Sequence, residues 1–155
     1  MPSGLYMCPG CLKVYDIKQL KSEMPIILYS DSTTYYHAYI SCPDITCDSG
    51  GYDSEGLFEI DELMIEPISI LNRCGYKTKF CCSGHTYTSQ SESYIYFESE
   101  EYMPQTLPKN WSKDNSKPII RANIKGKTIL ERRKSISNNI NSLLQWCVDL
   151  EKYTF

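Results

Sequence analysis

A chain of 155 residues, 41% hydrophobic and 23% charged, is about one domain long by the usual ~100–200 residues per domain, is able to bury a core, and has ordinary globular usage. No apolar run approaches the ~18–20 residues of a bilayer span, which excludes a membrane partner of that kind, and MPSGLYMCPGC carries neither the basic nor the apolar region of a secretory signal, so a reducing cytoplasm is the expected compartment. A formal charge of −3 and a pI near 5.4 count against the broad basic face that non-specific nucleic-acid binding requires.

Eight cysteines and thirteen tyrosines are excesses that need a reason. In chain order, Cys8-Pro-Gly-Cys11 has the two-residue spacing and the turn residues that let two thiolates converge on one ion. Pro25 to Ser30 and Thr33 to Ser41 read as strands separated by Asp31-Ser32, a hairpin able to return Cys42-Pro-Asp-Ile-Thr-Cys47 beside the first turn. This is the layout of a zinc ribbon, with Cys8, Cys11, Cys42 and Cys47 closing a tetrahedral shell around a structural zinc that has no open position for chemistry. The four-residue gap after Cys42 leaves His37 as a substitute ligand. The competing reading is a set of unrelated thiols or a disulfide pair, which a reducing compartment disfavours.

The stretch from Asp48 to Gly56 reads as a linker or exposed loop, and between Asp48 and Glu66 there are seven acids and no base. Ile60, Met64, Ile65, Ile68 and Leu71 recur at helical spacing, which predicts a helix over 60–73 that Pro67 kinks or restarts and that Gly75 caps. Lys77 to Cys82 alternates as a strand, with Thr78, Phe80 and Cys82 on one side. Tyr94 to Glu98 and Pro118 to Ile124 read as two more. Thr128-Ile-Leu-Glu131 is a capping box, and Ile129, Ile136, Ile140, Leu143, Cys147 and Leu150 carry a helical stripe to the end, facing the sheet or the same helix of a second copy. The expected class is α+β: residues 1–50 form the zinc-ribbon segment and residues 51–155 a ligand-binding domain of a small antiparallel sheet with two helices, the whole packed as one unit.

Candidate functional residues gather around Cys82-Ser-Gly-His85. A strand ending in small residues predicts a nest of backbone amides for an anion, with Gly84 allowing close approach and His85 facing a pocket. The plain alternative is a turn with a solvated histidine. Three chemical readings are open: a second metal site of Cys81, Cys82 and His85 with Cys74; a nucleophilic Cys81 or Cys82 activated by His85; and a small-molecule site in which the amides hold phosphate or ribose. The third is preferred because Tyr94 and Tyr96 share a strand face on which a base could stack, while Arg121 lies in a segment from Lys109 to Lys134 with nine bases and two acids and could pair with phosphate. Trp111 reads as a core anchor or lid.

The run from Asp61 to Glu98, with Leu71-Asn72, Gly75-Tyr76-Lys-Thr78, Cys82-Ser-Gly-His85 and Tyr94-Ile-Tyr-Phe97, resembles small proteins of bacteriophages that infect Gram-positive bacteria. More distantly it is similar to the wybutosine-synthesis methyltransferase-like family, whose related motif ends in Arg where this chain has His85. The first resemblance implies a phage protein in the host cytoplasm that sequesters, without transforming it, a nucleotide-derived immune signal such as an ADP-ribose derivative or a cyclic nucleotide. The second implies an enzyme modifying RNA or a nucleotide. A zinc-based protein-interaction adaptor is a third class, and it predicts no small ligand.

Overall fold

The computed structural model describes residues 5–8, 11–16, 28–31, 34–37, 58–86 and 91–154. They divide into two units, Met1–Ile60 and Asp61–Phe155. In the first unit, β1 (Leu5–Met7) pairs antiparallel with β2 (Val14–Asp16), and β3 (Leu28–Asp31) with β4 (Thr34–His37). The last strand, β5 (Phe58–Glu59), adds to the other edge of β1, giving a sheet of order β2-β1-β5. The predicted pairing of these two strands is present, with Leu28 opposite His37 and Asp31 opposite Thr34. The β1–β2 hairpin has no counterpart among the predicted strands, because segments of three residues are too short for alternation to register.

In the second unit the predicted helix over 60–73 begins as a short 3-10 turn, Glu62–Met64, and continues as α1 (Ile65–Arg73). Pro67 is the third residue of α1, in its first turn, where a missing amide donor breaks no bond within the helix, so it marks the start of the α-helix as the restart reading expects. At the other end Gly75 has φ +90°, the Tyr76 amide donates to the Leu71 carbonyl and the Gly75 amide to the Asn72 carbonyl, which is the Schellman termination expected of a glycine at that place. Asn72 then stitches helix to strand: its Nδ2 donates to Thr78 Oγ1 at 3.0 Å and its Oδ1 accepts from the Thr78 amide at 3.3 Å.

Four antiparallel strands follow, β6 (Thr78–Cys82), β7 (Glu92–Phe97), β8 (Ser112–Lys113) and β9 (Ile119–Asn123), in the order β6-β7-β9-β8. The chain closes with α2 (Ile129–Thr154). The predicted alternation of β6 is corrected. The pairing shifts register between Thr78 and Phe80, so Thr78 opposes Phe97 while Phe80 opposes Tyr96. A bulge at Lys79 therefore puts Thr78 on the buried face and Phe80, 55% exposed, on the other.

One sheet face carries Ser93, Ile95, Phe97, Ile120 and Ala122, all buried. Met64, Ile68 and Leu71 of the α1 side and Ile136, Ile140, Leu143 and Cys147 of α2 complete the buried core of this unit. The middle of the C-terminal stripe thus lies inside the unit, while at its two ends Ile129, in the first turn of α2, is 52% exposed and Leu150 is half-buried. Thr128 Oγ1 accepts from the Glu131 amide at 3.1 Å as the capping box requires, but the Glu131 carboxylate reaches the Lys127 amide, one residue earlier than expected. Trp111 is a core anchor, its Nε1 donating to the Asn139 carbonyl at 3.2 Å. No helix among the described residues is long and apolar enough to cross a membrane.

Candidate functional site

The loop after β6 is held by a chain of polar contacts that starts in the helix layer. Asn139, buried on α2, donates from Nδ2 to Ser93 Oγ and to the Asn123 carbonyl, each at 3.2 Å. Ser93 Oγ in turn donates to the Ser83 carbonyl at 2.7 Å. On the far side of the loop, Asp61 Oδ2 accepts from the Ser83 amide at 3.1 Å and from its hydroxyl at 2.5 Å, while Oδ1 caps the Leu63 amide at 3.3 Å. Ser83 is therefore clamped between β7 and the start of the first helix.

These contacts correct the expected anion nest. The Ser83 amide is given to Asp61, the Gly84 amide to Cys82 Sγ at 3.3 Å, and the His85 amide to Ser91 Oγ at 2.7 Å. All three consecutive donors are used within the chain. Gly84 has φ +110°, and a Cβ built on it would run into Ile124 Cδ1. Its small size serves close packing of the loop on Ile124 and Ile136 and a left-handed backbone, so a substitution there reaches the core of the unit.

An open cleft of about 400 Å³ lies between this loop and α2. Ser83, Gly84, His85 and Thr86 form one wall; Arg133, Ser137 and Asn141 form the other, over an apolar floor that includes Leu63, Ile136 and Ile140. Arg133, Ser137 and Asn141 recur every four residues, one polar row beside the buried stripe. That spacing was the available signal for them. Asp61 was legible as an acidic cap ahead of an apolar-periodic run; its second role on Ser83 joins positions 22 apart and has no sequence signature.

Tyr94, Tyr96 and Arg121 are not part of this cleft. Strand alternation places them on the sheet face opposite Ser93 and Ile95. There the register aligns Cys82, Tyr94 and Arg121 in one cross-strand row, with Phe80 and Tyr96 in a neighbouring row whose rings meet edge to face at 6.0 Å. Arg121 is engaged: its guanidinium pairs with Asp114 at 2.8 Å and Glu92 at 3.5 Å. Hydrogen bonds from the Ser116 amide and hydroxyl, then the Lys117 amide and the charge of Arg121, hold the Asp114 carboxyl below its ordinary value. The site residues inferred from sequence thus fall into two groups on opposite sides of the strand end, joined through His85, which lines the cleft and brings Nε2 to 3.6 Å from Cys82 Sγ.

Cys81 opposes Ile95 and Cys82 opposes Tyr94, so the two adjacent thiols face opposite ways, and among the described residues no group of three or more His, Cys, Asp or Glu side chains is placed to hold a metal. Of the four expected zinc ligands, Cys42 and Cys47 lie outside the described residues. Cys8 and Cys11 sit on the β1–β2 hairpin, Cys8 buried and Cys11 half-buried. The Cys8 amide donates to the Lys13 carbonyl at 3.0 Å, the Leu12 amide donates to the Cys8 carbonyl at 2.9 Å, and Leu12 has φ +64°. Comparison with protein-family models, with curated proteins and with solved structures gave no match.

Proposed function

We propose that the second unit binds a small nucleotide-type anion in the cleft between residues 83–86 and α2 and returns it unchanged. The observation that carries this reading is the make-up of the cleft: an apolar floor for a flat ring, with His85, Arg133, Ser137 and Asn141 around it as polar partners. Its volume of about 400 Å³ falls in the ~300–1,000 Å³ range of small-molecule sites. The resemblance to small phage proteins supports a sequestering role in a host cytoplasm, with an ADP-ribose derivative or a cyclic nucleotide as the first ligands to try.

The test is incubation of the full chain with those nucleotides, followed by denaturation and chromatography, alongside calorimetric titration. Intact recovered ligand supports binding without turnover; an altered one points to the nucleotide-modifying enzyme, and no retention to the adaptor. Arg133→Ala should weaken binding about ten- to a hundred-fold, the loss of one hydrogen bond to a charged group. Arg121→Ala should leave affinity near that of the parent, since its guanidinium is already held by Asp114 and Glu92. The reverse order of effects would move the site to the open sheet face.

For the first unit we propose a structural zinc held by Cys8, Cys11, Cys42 and Cys47. A buried and a half-buried cysteine on one tight hairpin, with a positive φ at Leu12, suit a knuckle that turns two thiolates to the same point. The bound ion would supply folding free energy. Unchanged zinc content in a folded Cys8→Ser, Cys11→Ser double variant would remove the assignment.

A further inference from the structure

Cys82 ends β6 half-buried, on the sheet face that also carries Tyr94 and Arg121. Two nitrogens lie against its sulfur: the Gly84 amide, which donates to it at 3.3 Å, and His85 Nε2 at 3.6 Å, which accepts the thiol proton in the tautomer protonated at Nδ1. The geometry is not incidental to a loose loop. His85 is fixed through its amide to Ser91 Oγ, and the Ser83 between the two elements is clamped by Asp61 and Ser93. A thiol that accepts a backbone N–H and lies beside an imidazole has both a stabilised anionic form and a proton acceptor.

We propose that Cys82 and His85 form a nucleophilic thiol site at the end of β6, which takes a small soft electrophile approaching from the open sheet face. The site shares His85 with the ligand proposal, but its thiol is on the other sheet face from the cleft, so alkylation of Cys82 is read independently of nucleotide binding. The step is a displacement. The Cys82 proton passes to His85 Nε2, the sulfur lone pair forms a bond to the electrophilic carbon, and the leaving group departs with the electrons of its own bond. The imidazolium then gives its proton to solvent. Among the described residues, the other ionisable groups of that face include Tyr94 in register with Cys82, Tyr96 in the next row, Arg121 beyond Tyr94 with its partners Asp114 and Glu92, and Lys79 at the bulge, whose ammonium lies over the Phe80 ring. Cys81 faces the opposite way.

Iodoacetamide is the probe. Its carbon gains the sulfur and loses iodide, and each cysteine of the full chain is followed by mass spectrometry, with fragmentation separating Cys81 from Cys82. Cys81 and Cys74 are also half-buried and serve as internal references. Near pH ~6.5 an ordinary thiol, with its value of ~8.5, is almost all protonated. Cys82 should there react at least roughly tenfold faster than either reference. His85→Ala should bring Cys82 down to the reference rate, and His85→Gln, which offers an N–H but cannot take the proton, should do the same. Equal rates for Cys82, Cys81 and Cys74 in the parent would overturn the proposal without any variant, and so would an unchanged Cys82 rate in both folded variants.

Discussion

Replacing Asn139 by alanine removes the buried amide that joins α2 to the sheet and to the loop beneath the cleft. The side chain donates two hydrogen bonds of 3.2 Å, to Ser93 Oγ and the Asn123 carbonyl, each contributing a net ~0.5–1.5 kcal/mol. Alanine keeps the main-chain carbonyl that Trp111 Nε1 uses, and it gains up to ~0.7 kcal/mol of helix propensity. Against that gain, two acceptors lose this donor, and one of them, Ser93 Oγ, is fully buried. The balance is about 2 kcal/mol of destabilisation, and for a unit of this size 1 kcal/mol moves Tm by ~4–8 °C, so a fall of roughly 8–16 °C is expected. Both tryptophans of the chain, Trp111 and Trp146, lie in this unit, and thermal unfolding followed by their fluorescence reports it alone. A double-mutant cycle with Ser93→Ala should return a coupling of about 0.5–1.5 kcal/mol, since the two side chains share one bond. A Tm within about 2 °C of the parent, well inside the shift expected for even 1 kcal/mol, would refute the idea that this network holds the layers together.

Gly84→Ala should destabilise the unit as well as disturb the cleft, because the added Cβ meets Ile124 and the backbone has φ +110°; a folded variant of parental Tm that has lost only ligand affinity would show that the glycine serves the ligand instead. Leu143→Ala, at a fully buried position, should cost roughly 2–5 kcal/mol, whereas Leu130→Ala, at a position 76% exposed, should stay within about 0.5 kcal/mol, and equal effects in denaturant unfolding would contradict the packing of α2. Burial, with Cys74 and Glu151 adding, pushes the Cys147 thiol up to about 12. Since that lies above the unfolded value of ~8.5, the neutral thiol's contribution is fully present below that pH and is lost towards pH 12, at roughly 1.4 kcal/mol per pH unit. Cys147→Ala should therefore flatten the alkaline arm of a stability–pH curve, and parallel curves for parent and variant would rule this out.

Local chemistry was enough to read much of the second unit from its residues. The Thr128 cap, the Gly75 termination and the stripe Ile136, Ile140, Leu143 and Cys147 each depend on neighbours within a few positions, and the helices follow from them. The hairpin β3–β4 and the three longer strands were legible for the same reason. What the tertiary structure decided is which side of the sheet each functional candidate occupies. Tyr94, Tyr96 and Arg121 alternate away from α2 while Ser83 and Gly84 are drawn towards it, and the bulge at Lys79 reverses the face of Phe80 relative to Thr78. The amides of residues 83–85 find their acceptors on Asp61, Cys82 and Ser91, so a loop that reads as a nest is closed by its own chain. Strand register and long-range hydrogen bonds join residues tens of positions apart, and no spacing rule in a single sequence carries that information.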